Sequence, residues 1–297
     1  MMLPHLYPTP SARSGTIALS HADIERRICV RRPYFALTDM ALEGRVFTAR
    51  ARAEAPPYSE VGPITAADLG RHAAIAGLSN VAAIHDDDDR RYYLAQHAEC
   101  AYVVNEAPFG TLIDLRSEVI DRTKRVSRVR VVATAAAAPL ASFELSYTIL
   151  TSSAFGRLFR HRAMHTPSAP SPYGRLLETE FVRGEGYAEA TLDALPASAC
   201  VGHFDSYPAL PVAVLMGQLS YLAGRLVSED SAPFRVVRGS IDATDLAWAG
   251  ERARFRVERD GLEDGLQRFA CSVHADARQV GAMTLWLRLI GESDALA

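Results

Sequence analysis

Gly70-Arg71-His72-Ala73-Ala74-Ile75-Ala76-Gly77 lies over Gly217-Gln218-Leu219-Ser220-Tyr221-Leu222-Ala223-Gly224 when the chain is laid on itself, at an offset of 147 residues. Two further matches run in the same order. Glu43-Gly44 lies over Glu185-Gly186 at 142, each pair heading an alternating run, and the alternation of Ala135 to Ile149 lies over Ala275 to Leu289 at 140. All three offsets are close to half of the 297 residues, so the chain reads as a duplicated unit. Between the copies, Thr166-Pro167-Ser168-Ala169-Pro170-Ser171-Pro172 carries three prolines, which neither a helix interior nor a central strand accepts. The expected division is residues 1–158, a linker over 159–176, and residues 177–297.

Each copy has the same coarse order. A β-like segment (Arg45 to Ala53, then Tyr187 to Leu195) leads through a turn into one long helix that is apolar nearly all round and therefore buried. The first helix begins at Thr65 with Asp68 three residues on, a variant of the capping box, and runs to His85-Asp86-Asp87-Asp88-Asp89. The second begins at Pro211 and continues through Leu215, Leu219, Leu222 and Leu226. Alternating stretches follow each helix: Tyr92 to Val104, Val126 to Ala135 and Ala141 to Leu150, then Phe234 to Ile241, Ala253 to Glu258, Phe269 to Ala275 and Ala282 to Ile290. Such alternation predicts antiparallel strands with one wet face, hence an α+β fold in which a curved sheet wraps a central helix, twice.

Composition narrows the function. The chain is 48% hydrophobic and 23% charged with a net charge of −3, which excludes disorder and gives no electrostatic case for nucleic acid or an anionic membrane. No run approaches the length of a membrane span, and Met1 to Ser14 lacks the pattern of a signal peptide, so the cytoplasm is the expected location. Cys29, Cys100, Cys200 and Cys271 are too far apart for a zinc site, and no metal or cofactor is expected. Lys124, the only lysine, has no glycine before it, which rules out a phosphate-binding P-loop. Glu189 stands where a dinucleotide fingerprint begun by Gly184-Glu185-Gly186 needs its third glycine, and no Gly-x-Ser-x-Gly elbow occurs.

The copies differ in the turn before the helix, which is five residues longer in the second. It holds Gly202-His203-Phe204-Asp205-Ser206-Tyr207-Pro208-Ala209-Leu210-Pro211. This stretch resembles the active-site loop of the 3-hydroxyacyl-(acyl carrier protein) dehydratases of the hot-dog fold, His-Phe-Pro-Gly-x-Pro-x-x-Pro-Gly followed by the central helix. His203, Phe204, Pro208 and Pro211 match in type and spacing, whereas Asp205, Ser206 and Val212 depart from the pattern. The resemblance implies a tandem hot-dog protein acting on acyl thioesters of a carrier protein or coenzyme A, and a homodimer is compatible with it. Prolines hold the loop, an imidazole of ordinary pKa about 6.5 serves as base, and the following helix N-terminus offers free N–H groups to the thioester carbonyl.

The family also needs a helix carboxylate about fourteen residues beyond the histidine, contributed by the partner copy. Here the two corresponding positions are Gly217 and Gly70. A dehydratase of fatty-acid or polyketide assembly, the leading expectation, would therefore recruit His72 or Asp205 as the acid. A thioesterase, in which His203 or Gln218 positions water, does not need that acid, and a non-catalytic acyl-binding subunit needs neither. Gly202, Phe204, Pro208, Pro211, Val212, Gln218, Arg71 and Asn80 are the expected substrate contacts. Asp68 reads as a helix cap, the run His85 to Asp89 as a solvated helix end, and Arg157, Arg160, His161 and Arg162 as a basic surface cluster available to an acidic carrier or to phosphates.

Overall fold

A computed structural model of the chain describes residues 15–165, 169–204, 206–227 and 232–290. Among these residues thirteen strands form one antiparallel sheet. The first half contains β1 (Thr16–Leu19), the short helix α1 (His21–Glu25), β2 (Thr38–Glu43), β3 (Val46–Ala51), α2 (Ala66–Ala83), β4 (Arg91–Tyr102), β5 (Ile113–Arg122), β6 (Val126–Ala135), β7 (Ala138–Thr151) and α3 (Ser152–Phe159). The second contains β8 (Glu180–Gly184), β9 (Tyr187–Leu192), α4 (Val212–Val227), β10 (Phe234–Ala243), β11 (Ala253–Glu263), β12 (Leu266–Ala275) and β13 (Arg278–Leu289).

The halves join where β4 pairs with β10, from His97 opposite Asp242 to Ala101 opposite Arg238. Outward from that seam the order is β4-β7-β6-β5-β3-β2 on one side and β10-β13-β12-β11-β9-β8 on the other. Chain order and sheet order therefore repeat together, with β1 added at one edge. Alternation drives the sheet: in β6, Ser127, Val129, Val131, Ala133 and Ala135 turn inward while Arg128 and Arg130 face water. α2 lies against β3, β5 and β6, α4 against β9 and β11, and the two helices touch each other.

The repeated glycines have a steric cause. A Cβ at Gly77 would stand 2.5 Å from the Tyr147 hydroxyl and 2.8 Å from Val129 Cγ2, and one at Gly224 would stand 2.3 Å from the Phe234 ring. Each is the point at which a helix lets an aromatic ring of its own sheet pass beneath it. The Tyr147 hydroxyl uses this access to donate to the Ala74 carbonyl, 2.8 Å away.

Some elements depart from expectation. β1, α1, β2, β5, β8 and α3 occupy stretches in which no element was expected: Thr38–Glu43 has one buried position and Glu180–Gly184 none, and in Ile113–Arg122 the buried alternation stops after Ser117. Thr65 is the N-cap of α2 and accepts from the Asp68 N–H, but the Asp68 carboxylate does not close a capping box; it accepts instead from the N–H groups of Glu54 at 2.6 Å and Ala55 at 3.3 Å. No helix among the described residues is long and apolar enough to cross a membrane.

Candidate active site

The loop from Cys200 to Pro211 is fixed by backbone contacts on both sides. Arg31 N–H donates to the Gly202 carbonyl at 2.7 Å and Phe204 N–H to Cys29 at 3.2 Å; Leu210 N–H donates to Ala247 and Ala249 N–H to Pro208, at 2.7 and 2.9 Å. Gly202 has φ +81°, and a Cβ there would lie 2.5 Å from the Arg31 carbonyl, so only glycine fits. Phe204 also has a positive φ, +60°, a conformation that costs a non-glycine residue about 1 kcal/mol or more. Its ring offsets that cost by packing among Tyr92, Phe155 and the His203 imidazole, which stacks on it at 3.9 Å.

His203 Nδ1 lies 2.8 Å from the Ala209 carbonyl oxygen. A carbonyl only accepts, so Nδ1 carries the proton and Nε2 keeps its lone pair. Burial drives the imidazole pKa down to about 4, so the ring is neutral at pH 7. It faces a cavity of about 180 Å³ between α2, α4 and the strands at the seam. That exceeds the roughly 150 Å³ of an apolar void able to hold benzene. The walls are largely apolar, among them Ile75, Leu78, Phe143, Leu145, Met216 and Ile241. Val212 and Ala213, the first residues of α4, also line it. Val214 and Leu215 donate to the Pro211 carbonyl, but the N–H groups of Val212 and Ala213 have no acceptor among the described residues.

A smaller cleft of about 80 Å³ occupies the corresponding place in the first copy, between the Ala55–Glu60 loop and α4. Its chemistry is different because the α2 N-terminus is already capped. Glu60 accepts from Ala66 N–H at 2.7 Å, and Thr65 accepts from Asp68 N–H through its hydroxyl and from Leu69 N–H through its carbonyl. Burial raises the Glu60 carboxyl to about 7. The segment from Tyr173 to Leu176 closes over this cleft: Leu176 N–H donates to the Tyr58 hydroxyl at 3.0 Å, and Tyr173 lies against the Arg71 guanidinium. Sequence reading gave no role to Glu60; its signal is a lone acid six residues ahead of the first helical position.

His203, Phe204 and Val212 meet in the larger cavity, and Gly202, Pro208 and Pro211 shape the loop that delivers them. The other expected contacts lie elsewhere. His72 is fully buried away from the cavity, with Nε2 on the Arg52 carbonyl at 3.1 Å, and burial beside Arg71 holds its pKa at about 3. Arg71 lines the smaller cleft, ion-paired with Glu54 and Asp68. Asn80 donates to the carbonyls of Arg45 and Ser117, and Gln218 donates to the Thr179 hydroxyl, just ahead of β8, at 3.1 Å; neither lines the cavity. These four side chains bond elsewhere because they lie on the buried faces of their helices, where a polar residue has partners besides the cavity. Asp205 lies outside the described residues. Glu54, Asp68 and His72 present ligand atoms within 4.8 Å of one another, but the Arg71 guanidinium already pairs with the two carboxylates, which leaves the group without the character of a cation site.

Gly70 lines the His203 cavity and Gly217 lines the smaller cleft, so each glycine faces the loop of the other copy. A Cβ at Gly70 would meet only Met216 Cε, at 3.5 Å. The place of the helix carboxylate is therefore open, with no acid in it.

No protein-family model and no curated protein sequence matches the chain. Solved structures do match in shape. A conserved protein of unknown function with the hot-dog fold from Alicyclobacillus acidocaldarius superposes with a TM-score of 0.56 at 12% identity, covering 88% of this chain and 99% of its own. An acyl-ACP thioesterase from Bacteroides thetaiotaomicron gives 0.55 at 12% identity, over 82% of this chain and 98% of its own. An acyl-CoA thioesterase II from Mycobacterium marinum gives 0.53 at 10%, over 91% and 98%. The architecture of this chain is that of the hot-dog fold, shared with thioesterases of that fold.

Proposed function

We propose that the chain is a tandem hot-dog hydrolase of acyl thioesters, working at the His203 cavity alone. The observation that carries this reading is a largely apolar cavity of about 180 Å³ lined by both His203 and the first residues of α4, whose N–H groups have no acceptor among the described residues. The solved structures of similar shape include thioesterases for acyl-ACP and for acyl-CoA.

In this reading the acyl chain lies along the apolar wall and the thioester oxygen accepts from Val212 and Ala213 N–H. Neutral His203 takes a proton from water through Nε2 as the oxygen of that water attacks the carbonyl carbon. The resulting oxyanion is held by the helix N–H groups and dipole, an interaction worth about 3–4 kcal/mol of barrier per well-placed donor. Collapse breaks the C–S bond, and the imidazolium returns its proton to the departing thiolate, leaving a free acid and a thiol. Dehydration, the leading expectation from the sequence, is set aside because Gly70 supplies no acid. Asp245, a carboxylate on the cavity wall, is ion-paired with Arg278.

The test is to offer the purified chain a series of saturated and 3-hydroxyacyl thioesters while following free thiol and enoyl absorbance together. Thiol release with no enoyl product supports hydrolysis. Enoyl product without thiol overturns it in favour of dehydration, and the absence of both from every substrate overturns catalysis.

A further inference from the structure

We infer that α3 and the turn after it form the docking surface for a small acidic protein that carries the acyl group, so that the thioester arrives on a carrier protein. This inference rests on the hydrolase reading and adds the partner. From Leu145 to Leu177 the sequence contains no Asp or Glu, although the chain as a whole is net negative. Within that stretch Phe155 and Phe159 face inward: Phe155 packs on Phe204 and Tyr207 of the catalytic loop, and Phe159 lines the cavity itself. The segment is tied to the loop again by the Met164 N–H, which donates to the Ser206 carbonyl at 3.0 Å. The opposite face is thereby held at the cavity edge.

That face carries Arg157, Arg160 and His161, all exposed and without an ion-pair partner among the described residues. Other exposed arginines are also unpaired among the described residues, Arg128, Arg254 and Arg259 among them, so what sets this face apart is its place beside the cavity within a stretch that has no acid. Beside the free cations stand Leu158 and Met164, 58% and 46% exposed. Phosphate groups alone would use the arginines but gain nothing from exposed Leu and Met on a convex helix. An acidic protein surface buries both, with charge steering the encounter and apolar contact holding it.

The experiment compares decanoyl-loaded acyl carrier protein with decanoyl-CoA as substrates for the wild type and for the double variant Arg157→Glu/Arg160→Glu. Wild-type hydrolysis of the carrier-bound substrate should weaken with added salt. In the variant, KM for that substrate should rise on the order of tenfold with kcat unchanged, while decanoyl-CoA hydrolysis stays at the wild-type level and so certifies the fold. Equal losses on both substrates would overturn the inference in favour of phosphate binding, and no change on either would overturn it outright. Affinity for the unloaded carrier protein is measured alongside, by fluorescence anisotropy. Binding that the charge reversal abolishes in a chain that hydrolyses neither substrate would uphold docking while the hydrolase reading fails. Absence of wild-type binding would sink docking alone.

Discussion

Replacing His203 with asparagine separates the two jobs assigned to this imidazole. The asparagine amide nitrogen falls near the place of Nδ1 and preserves the 2.8 Å bond to the Ala209 carbonyl, while the Nε2 lone pair disappears. If Nε2 removes the proton from water, turnover should fall by about 10²- to 10⁴-fold, the usual contribution of a general base, equal to about 3 to 5.5 kcal/mol of barrier. Stability to denaturant should stay near that of the wild type. His203→Ala should lose similar activity and also stability, about 1–3 kcal/mol, because the Ala209 carbonyl is fully buried and would have no donor. Thiol release gives turnover and urea unfolding gives stability. An asparagine variant within threefold of wild-type turnover would refute the reasoning and leave His203 as a strut of the loop.

The depressed pKa makes a further claim: since His203 is neutral above about 4, the acid limb of kcat/KM in the free protein should fall near pH 4, and a limb near 6.5 would place the ring in water. His72, held at about 3 against an ordinary 6.5, refuses a proton that the unfolded chain accepts. Its contribution to stability is complete above pH 6.5 and is lost as the pH falls from there toward 3, by up to about 1.4 kcal/mol per pH unit. In urea titrations across that window His72→Gln should flatten the slope by one proton, and an unchanged slope would count against the burial of this ring. Gly70→Ala should hold or raise the melting temperature, since the new methyl meets only Met216 at 3.5 Å and helix propensity improves by up to about 1 kcal/mol. Gly77→Ala should lower it, with overpacking against Tyr147 and Val129 costing about 1–3 kcal/mol. Equal melting temperatures would break the account of the repeated glycines.

Much of the fold was legible because its causes are local and occur twice. Gly77 and Gly224 sit at equivalent points for the same steric reason, and the alternation of β6, β7, β12 and β13 records one wet and one dry face. β2 and β8 were not legible: they are short outer strands of few buried positions, and their pattern has no period to detect. The loop motif led to the cavity because its prolines and glycine act through the backbone, which sequence encodes directly. The helix polars misled, since Arg71, His72, Asn80 and Gln218 are each bonded to neighbours within the fold and none of them lines the His203 cavity. The capping of α2 by Glu60, which distinguishes the two clefts, depends on a contact across a loop, and the lone acid six residues ahead of the helix is the one sign of it in the sequence.

The most direct measurement is a crystal structure with a decanoyl-CoA analogue whose thioester sulfur is replaced by a methylene group. Its carbonyl oxygen should lie within hydrogen-bond distance of Val212 and Ala213 N–H, with the chain along Ile75 and Leu145 and a water near His203 Nε2. The acyl group found in the cleft beside Glu60, or held on the surface with the His203 cavity empty, would contradict the account.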